Sequence, residues 1–160
     1  MSKRARRSWL LAAALCAFVV AADQIAKAIV EAELVPGEQV DVLGPLNLTL
    51  SHNEGVAFGL AGGAGMPLIA FTLIALVAIG LLFARDPSRR GMWVAMGLVA
   101  GGAIGNLIDR VRSGAVTDYV DLPSWPPFNI ADVAIVAGVG LLAILLLSEP
   151  EAEERGEGGG

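Results

Sequence analysis

The chain has 160 residues, 55% of them hydrophobic, and a mean hydropathy of +0.66. That is too apolar for an ordinary soluble domain and fits one integral membrane domain. The net charge of −5 comes mostly from residues 149–160, with five Glu and one Arg, so the body is near neutral and carries no basic patch for nucleic acid.

Four apolar segments are predicted to be membrane helices, at about 9–30, 66–84, 92–108 and 129–147. Each is long enough to cross ~30 Å of hydrocarbon at ~1.5 Å per residue. Residues 1–148 are read as one four-helix domain, and 149–160 as a disordered acidic tail. Lys3-Arg4-Ala5-Arg6-Arg7 and the apolar run behind it have the shape of a cleavable signal peptide. The helical pattern nevertheless continues past Asp23 to Val30, and three further spans follow. Leu15, before Cys16, is also too bulky for a lipoprotein cleavage box. The segment is therefore expected to be a retained span.

Lys and Arg flank the membrane unevenly. Lys3, Arg4, Arg6 and Arg7 precede the first span, and Arg85, Arg89 and Arg90 separate the second from the third. Residues 31–66 and 113–128 contain neither Lys nor Arg. Both termini are therefore expected on the cytoplasmic side and those two stretches outside. Arg110 and Arg112 break the rule at the outer end of span three, which points to a specific task for at least one of them.

In the first outer stretch, Leu46-Asn47-Leu48-Thr49-Leu50-Ser51 alternates strictly, with Val40 and Val42 upstream. That predicts a short half-buried sheet at the membrane surface. The fold class is thus an all-α membrane protein with four transmembrane helices and a small β-sheet in the first outer loop. Residues 59–65 are Gly-rich without the Lys-Ser/Thr of a phosphate loop, and are read as a flexible connection. Asp118 is placed in the second outer loop.

The polar residues gather at one depth. Asp23 and Lys27 share a helix face in the outer part of span one. Asn106, Asp109 and Arg110 share one near the outer end of span three. Asn129 and Asp132 open span four, and Asn53 and Asp118 lie in the outer stretches. A carboxylate at bilayer depth costs roughly 3 kcal/mol or more, so Asp132 marks a functional site. Two neighbouring carboxylates hold one shared proton near neutral pH, so Asp118 and Asp132 suit general acid–base chemistry. With one His (His52) and one Cys (Cys16), no metal centre, Cys–His pair or cofactor is expected.

Structural roles also fit several of these residues. Asp23–Lys27 suits an ion pair, and Asp109–Arg110 a helix-end lock. Gly97, Gly101 and Gly105 suit close helix packing. Trp9, Trp93, Tyr119 and Trp125 suit an interfacial aromatic belt.

Five blocks in order give a resemblance. Asp23-Gln24-Ile25-Ala26-Lys27 opens it. Asn53-Glu54-Gly55-Val56-Ala57-Phe58 follows, then the block from Gly101 to Arg110. Val116-Thr117-Asp118-Tyr119-Val120-Asp121 and Phe128-Asn129-Ile130-Ala131-Asp132 complete the set. Together they resemble the bacterial type II signal peptidases, with Tyr119 where Phe is usual. The resemblance implies an aspartic endopeptidase of the inner membrane, with Asp118 and Asp132 as the dyad. Its substrates would be prolipoproteins whose Cys already carries diacylglyceryl, cut just before that Cys. Asp23, Lys27, Asn53, Asn106, Asp109, Arg110 and Asn129 would support the site or orient substrate. Expected partners are the lipidated substrate and membrane lipid, with a monomeric enzyme. The alternative is a small proton-coupled transporter or channel, for which buried Asp, Lys and Arg are also suited.

Overall fold

The structure is a computed structural model that describes residues 1–55 and 65–148. Residues 56–58 of the second sequence block, most of the Gly-rich 59–65 connection, and the 149–160 tail lie outside the described residues.

Four helices have the length and composition of membrane spans: α1 (Lys3–Glu33), α2 (Gly65–Arg85), α3 (Met92–Ser113) and α4 (Ile130–Leu147). All four predicted spans are present. Two run further than expected. The α1 helix extends through the basic Lys3–Arg7 segment and to Glu33, so its 31 residues reach ~46 Å and overrun the hydrocarbon. The α3 helix continues past Asp109 to Ser113. It stops at Gly114, whose φ of +81° supplies the left-handed turn that redirects the chain.

The α3 helix is the axis of the bundle. Of its apolar window 56% is buried, against 11–17% for the other three. Small residues make this possible. A Cβ on Gly101 would lie 2.7 Å from Cβ of Val19 on α1. One on Gly102 would collide with the backbone oxygen of Ala131 on α4. Gly97, Gly101 and Gly105 thus do the close-packing work expected of them. At the end of the bundle away from the sheet, Ala12, Phe83 and Met92 form an apolar cluster, with Trp9 edge-on to Phe83 at 4.6 Å.

The other end carries a four-stranded antiparallel sheet in the order β1-β2-β3-β4: β1 (Gln39–Leu43), β2 (Leu46–Asn53), β3 (Val116–Leu122) and β4 (Trp125–Phe128). The sheet was expected in the first outer stretch alone. The second stretch supplies half of it, and Asp118 lies on a strand, not in a loop. Val116, Thr117, Tyr119 and Val120 favour a strand, and β2 offers an edge for them to pair with. Residues 116–119 are all buried, so the alternation that betrays a surface strand is absent. Tyr119 is a second correction. It sits with Val30 and Leu50 in the core between sheet and α1, not in an interfacial belt.

Helix approach at Gly102 gives a direct test. Gly102→Ala is expected to destabilise the protein by about 2 kcal/mol, because backbone has no rotamer with which to yield. Gly140→Ala, with open space around its Cβ, is expected to be neutral or slightly stabilising. Thermal unfolding in detergent checks the pair; equal behaviour would contradict the packing described.

Candidate active site

The sheet end of the bundle brings together residues from α1, β2, α3, β3 and the start of α4. Asn129 caps α4. Its side-chain oxygen accepts from the Asp132 backbone N–H at 3.0 Å, and Asp132 Oδ2 accepts from the Asn129 backbone N–H at 3.3 Å. This reciprocal cap fixes Asp132 at the helix mouth. The Asn129 side-chain amide then donates to Asp118 Oδ1 at 2.7 Å and to Asn106 Oδ1 at 3.1 Å. The Asn106 amide donates to Asp132 Oδ1 at 2.8 Å. Asn53, at the end of β2, donates to Asp118 Oδ2 at 3.1 Å. Two carboxylates from distant parts of the chain are therefore tied into one network by three asparagines.

Lys27 sets the orientation of that network. It is 3% exposed, and its Nζ lies 2.8 Å from Asp23 Oδ2, 2.6 Å from Asp109 Oδ2 and 3.0 Å from Asn106 Oδ1. An ammonium only donates, so it must face the Asn106 oxygen and turn the amide nitrogen to Asp132. Asp23, fully buried, uses its other oxygen to accept from the Ala131 backbone N–H at 3.0 Å. The first turn of α4 is thereby held to α1.

The candidate site residues named from the sequence all fall within this region, and one pairing differs. The Asp109–Arg110 lock is not formed, because adjacent helical residues do not face each other. Asp109 turns to Lys27 instead. Arg110 makes no ion pair within 4 Å among the described residues; its Nη1 donates to the Asn106 backbone oxygen at 3.5 Å. It is half-buried and within Coulombic range of Asp132, Asp118 and Asp109. Among the described residues its guanidinium therefore does not bridge two carboxylates.

Three contributors were not singled out. Gln24 donates to Asp109 Oδ1 at 2.9 Å and to the Gly105 oxygen at 3.3 Å. The Thr117 backbone N–H donates to Asp109 Oδ2 at 3.4 Å, and its hydroxyl donates to Glu31 Oε1 at 2.6 Å. The signal available was spacing: Glu31 lies one turn beyond Lys27 on the same face. His52 and Glu54 are exposed on or beside β2, apart from the network.

Asp118 is 2% exposed, and its carboxyl is raised to about 6. Burial is the main cause. The Asn53 hydrogen bond opposes it, the Asp132 charge adds to it, and Asn129 and Lys27 oppose it. The raised value means that ionising Asp118 costs the folded state. Its stabilising effect is greatest below the ordinary carboxylate range and is lost as pH rises through about 6.

A helical membrane bundle that links a buried carboxylate, Asp118, to a half-buried one, Asp132, at one end has a layout suited to acid–base hydrolysis. The model of the signal peptidase (SPase) II family matches residues 15–148. The lipoprotein signal peptidase of Moorella thermoacetica is 40% identical over 135 residues, covering 83% of this chain and 90% of its own. That of Desulfitobacterium hafniense is 42% identical over 144 residues, covering 87% and 94%. A solved bacterial membrane enzyme, determined in meso at 1.9 Å, superposes with a TM-score of 0.80 at 36% identity, covering 89% of this chain and 94% of its own. The chain belongs to the signal peptidase II family.

The protonation of Asp118 is measurable by isotope-edited infrared titration. The protonated carboxyl band is expected to disappear with a midpoint near pH 6. Asn53→Leu removes a bond that favours the charged form, so the midpoint should rise, by up to about one unit. A fall would contradict the assignment of Asn53.

Proposed function

We propose that the chain is an aspartic endopeptidase in which Asp118 and Asp132 share one proton and remove the signal peptide from diacylglyceryl-modified prolipoproteins, just before the lipidated Cys. The observation that carries this is the Asn106–Asn129 link, which joins two carboxylates from β3 and α4 in one network, with Asp118 buried and Asp132 half-buried. The ionised member takes a proton from a water, whose oxygen adds to the scissile carbonyl carbon. The protonated member donates to the carbonyl oxygen. Collapse of the tetrahedral intermediate breaks the C–N bond, passes a proton to the leaving nitrogen and restores the one-proton pair. No covalent intermediate is formed.

Lys27, Asp23, Asp109, Asn106 and Asn129 keep this arrangement. Asn53 holds the outer oxygen of Asp118, and Arg110 supplies positive charge toward the pair. The Lys/Arg asymmetry supports a topology with both termini in the cytoplasm and the site near the outer face of the inner membrane. That is where a lipid-anchored substrate presents its cleavage site. Residues 1–148 act as one monomeric domain, with 149–160 as a tail. The lipid on the substrate lies against the exposed apolar helix surfaces. A transporter reading is not favoured, because the end of the bundle opposite the site is packed with Ala12, Phe83 and Met92.

The test is single-turnover cleavage of a labelled lipidated prolipoprotein by purified protein in detergent. Asp118→Asn and Asp132→Asn keep size, and each is expected to lower the rate by several orders of magnitude. The double variant should be little worse than either, since the two act as a unit. Asp41→Asn and Asp121→Asn, on the exposed part of the sheet, should retain most activity. Robust cleavage by Asp132→Asn would sink the dyad. Arg110→Lys keeps the charge but shortens its spread; it is expected to slow cleavage, while Arg112→Lys has little effect. Full activity of both would leave Arg110 without a role.

A further inference from the structure

Residues 23, 27 and 31 of α1 stand one turn apart on one face, and each holds a different element of the site. Asp23 binds the Ala131 backbone at the head of α4. Lys27 binds Asn106 of α3. Glu31 accepts from the Thr117 hydroxyl of β3 at 2.6 Å. Thr117 immediately precedes Asp118.

Glu31 is not where helix electrostatics would place an acid. It lies in the last turn of α1, at the negative end of the helix, and that turn contains no basic residue. Exposure gives it no packing to hold its rotamer. It borders a pocket of about 130 Å³, also lined by Gln24, Lys27, Asp109, Arg112 and Thr117. What fixes it is the hydroxyl of Thr117, which is itself 3% exposed. The other ties on Thr117 are longer: its N–H reaches Asp109 at 3.4 Å, and its carbonyl accepts from Asn129 at 3.3 Å. The Glu31 bond is the short one of the three.

We propose that Glu31 is a positioning residue, which through the Thr117 hydroxyl holds β3 so that Asp118 keeps its place opposite Asp132. This rests on the dyad reading given above. Glu31 hydrogen-bonds to Thr117 and to neither carboxylate of the pair; it completes a three-step ladder by which α1 aligns α4, α3 and β3. The requirement is for a hydrogen-bond acceptor on α1 and a hydroxyl on β3, not for a charge.

The experiment compares kcat and KM of Glu31→Ala, Glu31→Gln, Thr117→Val and Thr117→Ser on a lipidated prolipoprotein, with Asp118→Asn alongside. Thr117→Val keeps shape and strand preference while removing the hydroxyl, so it is expected to fold. Glu31→Ala and Thr117→Val are each expected to lower kcat about tenfold or more at unchanged KM, as a small misplacement of a reacting group does. Their double variant should be no slower than either single one. Glu31→Gln and Thr117→Ser should restore most of the rate. Wild-type kcat in Glu31→Ala, with Asp118→Asn inactive, overturns the proposal and leaves the dyad standing. Glu31→Gln as slow as Glu31→Ala overturns it too, since charge would then be the requirement. A loss of rate that a smaller folded fraction fully accounts for has the same force. An active Asp118→Asn removes the dyad itself.

Discussion

The site stands on one buried ammonium. Lys27 is surrounded by Asp23, Asp109 and Asn106, all at hydrogen-bonding distance and all nearly excluded from solvent. A buried charge is tolerated only when paired and hydrogen-bonded, and Lys27 has one acceptor for each of its three protons. Each acceptor has a second duty. Asp23 reaches α4, Asp109 reaches Gln24 and Thr117, and Asn106 reaches Asp132. Without the cation, two carboxylates would be stranded and the Asn106 amide would lose its reason to point its nitrogen at Asp132. The electrostatic centre of the fold is therefore also the device that orients the Asp118–Asp132 network.

Helix packing makes that centre reachable. A Cβ on Gly105 would lie 2.7 Å from Asp23 Oδ2, so the aspartate occupies space that only a glycine leaves free. Gly101 and Gly102 bring α1 and α4 onto the same axial helix from two sides. The small-residue stripe thus sets the distances over which the polar network operates.

Much of this is written in local pattern. The Asp23–Lys27 pair follows from helical spacing. The four spans follow from hydropathy, and the convergence of polar residues at one end from topology. The choice of partners is not written there. Asp109 could have paired with its neighbour Arg110 or with Lys27, and only the packing of α1 on α3 decides. Burial of residues 116–119 on both faces of β3 erases the alternation that marks a strand, so local pattern alone reads Asp118 as loop. It misplaces Tyr119 for the same reason, an aromatic residue in a core position beside a membrane surface. Helical spacing puts Glu31 on the Lys27 face, but its link to Thr117 spans 86 positions of sequence, and spacing does not name that partner.

These contributions divide by element. The helices and the cap of α4 supply the buried cation, Asn106, Asn129 and one carboxylate, while Asn53 comes from β2. The sheet supplies the other carboxylate, and it is held by contacts from α1, α3 and the start of α4. The direct measurement of the central claim is a double-mutant cycle on apparent Tm in detergent, with Lys27→Met, Asp109→Asn and the two combined. Losing Lys27 alone strands two buried carboxylates, at a cost of about 3–5 kcal/mol. Neutralising Asp109 in that background should recover a substantial part of the loss, so the combined variant is predicted to be more stable than Lys27→Met alone. Strictly additive losses would contradict the account, because they would show that Lys27 and Asp109 do not act together.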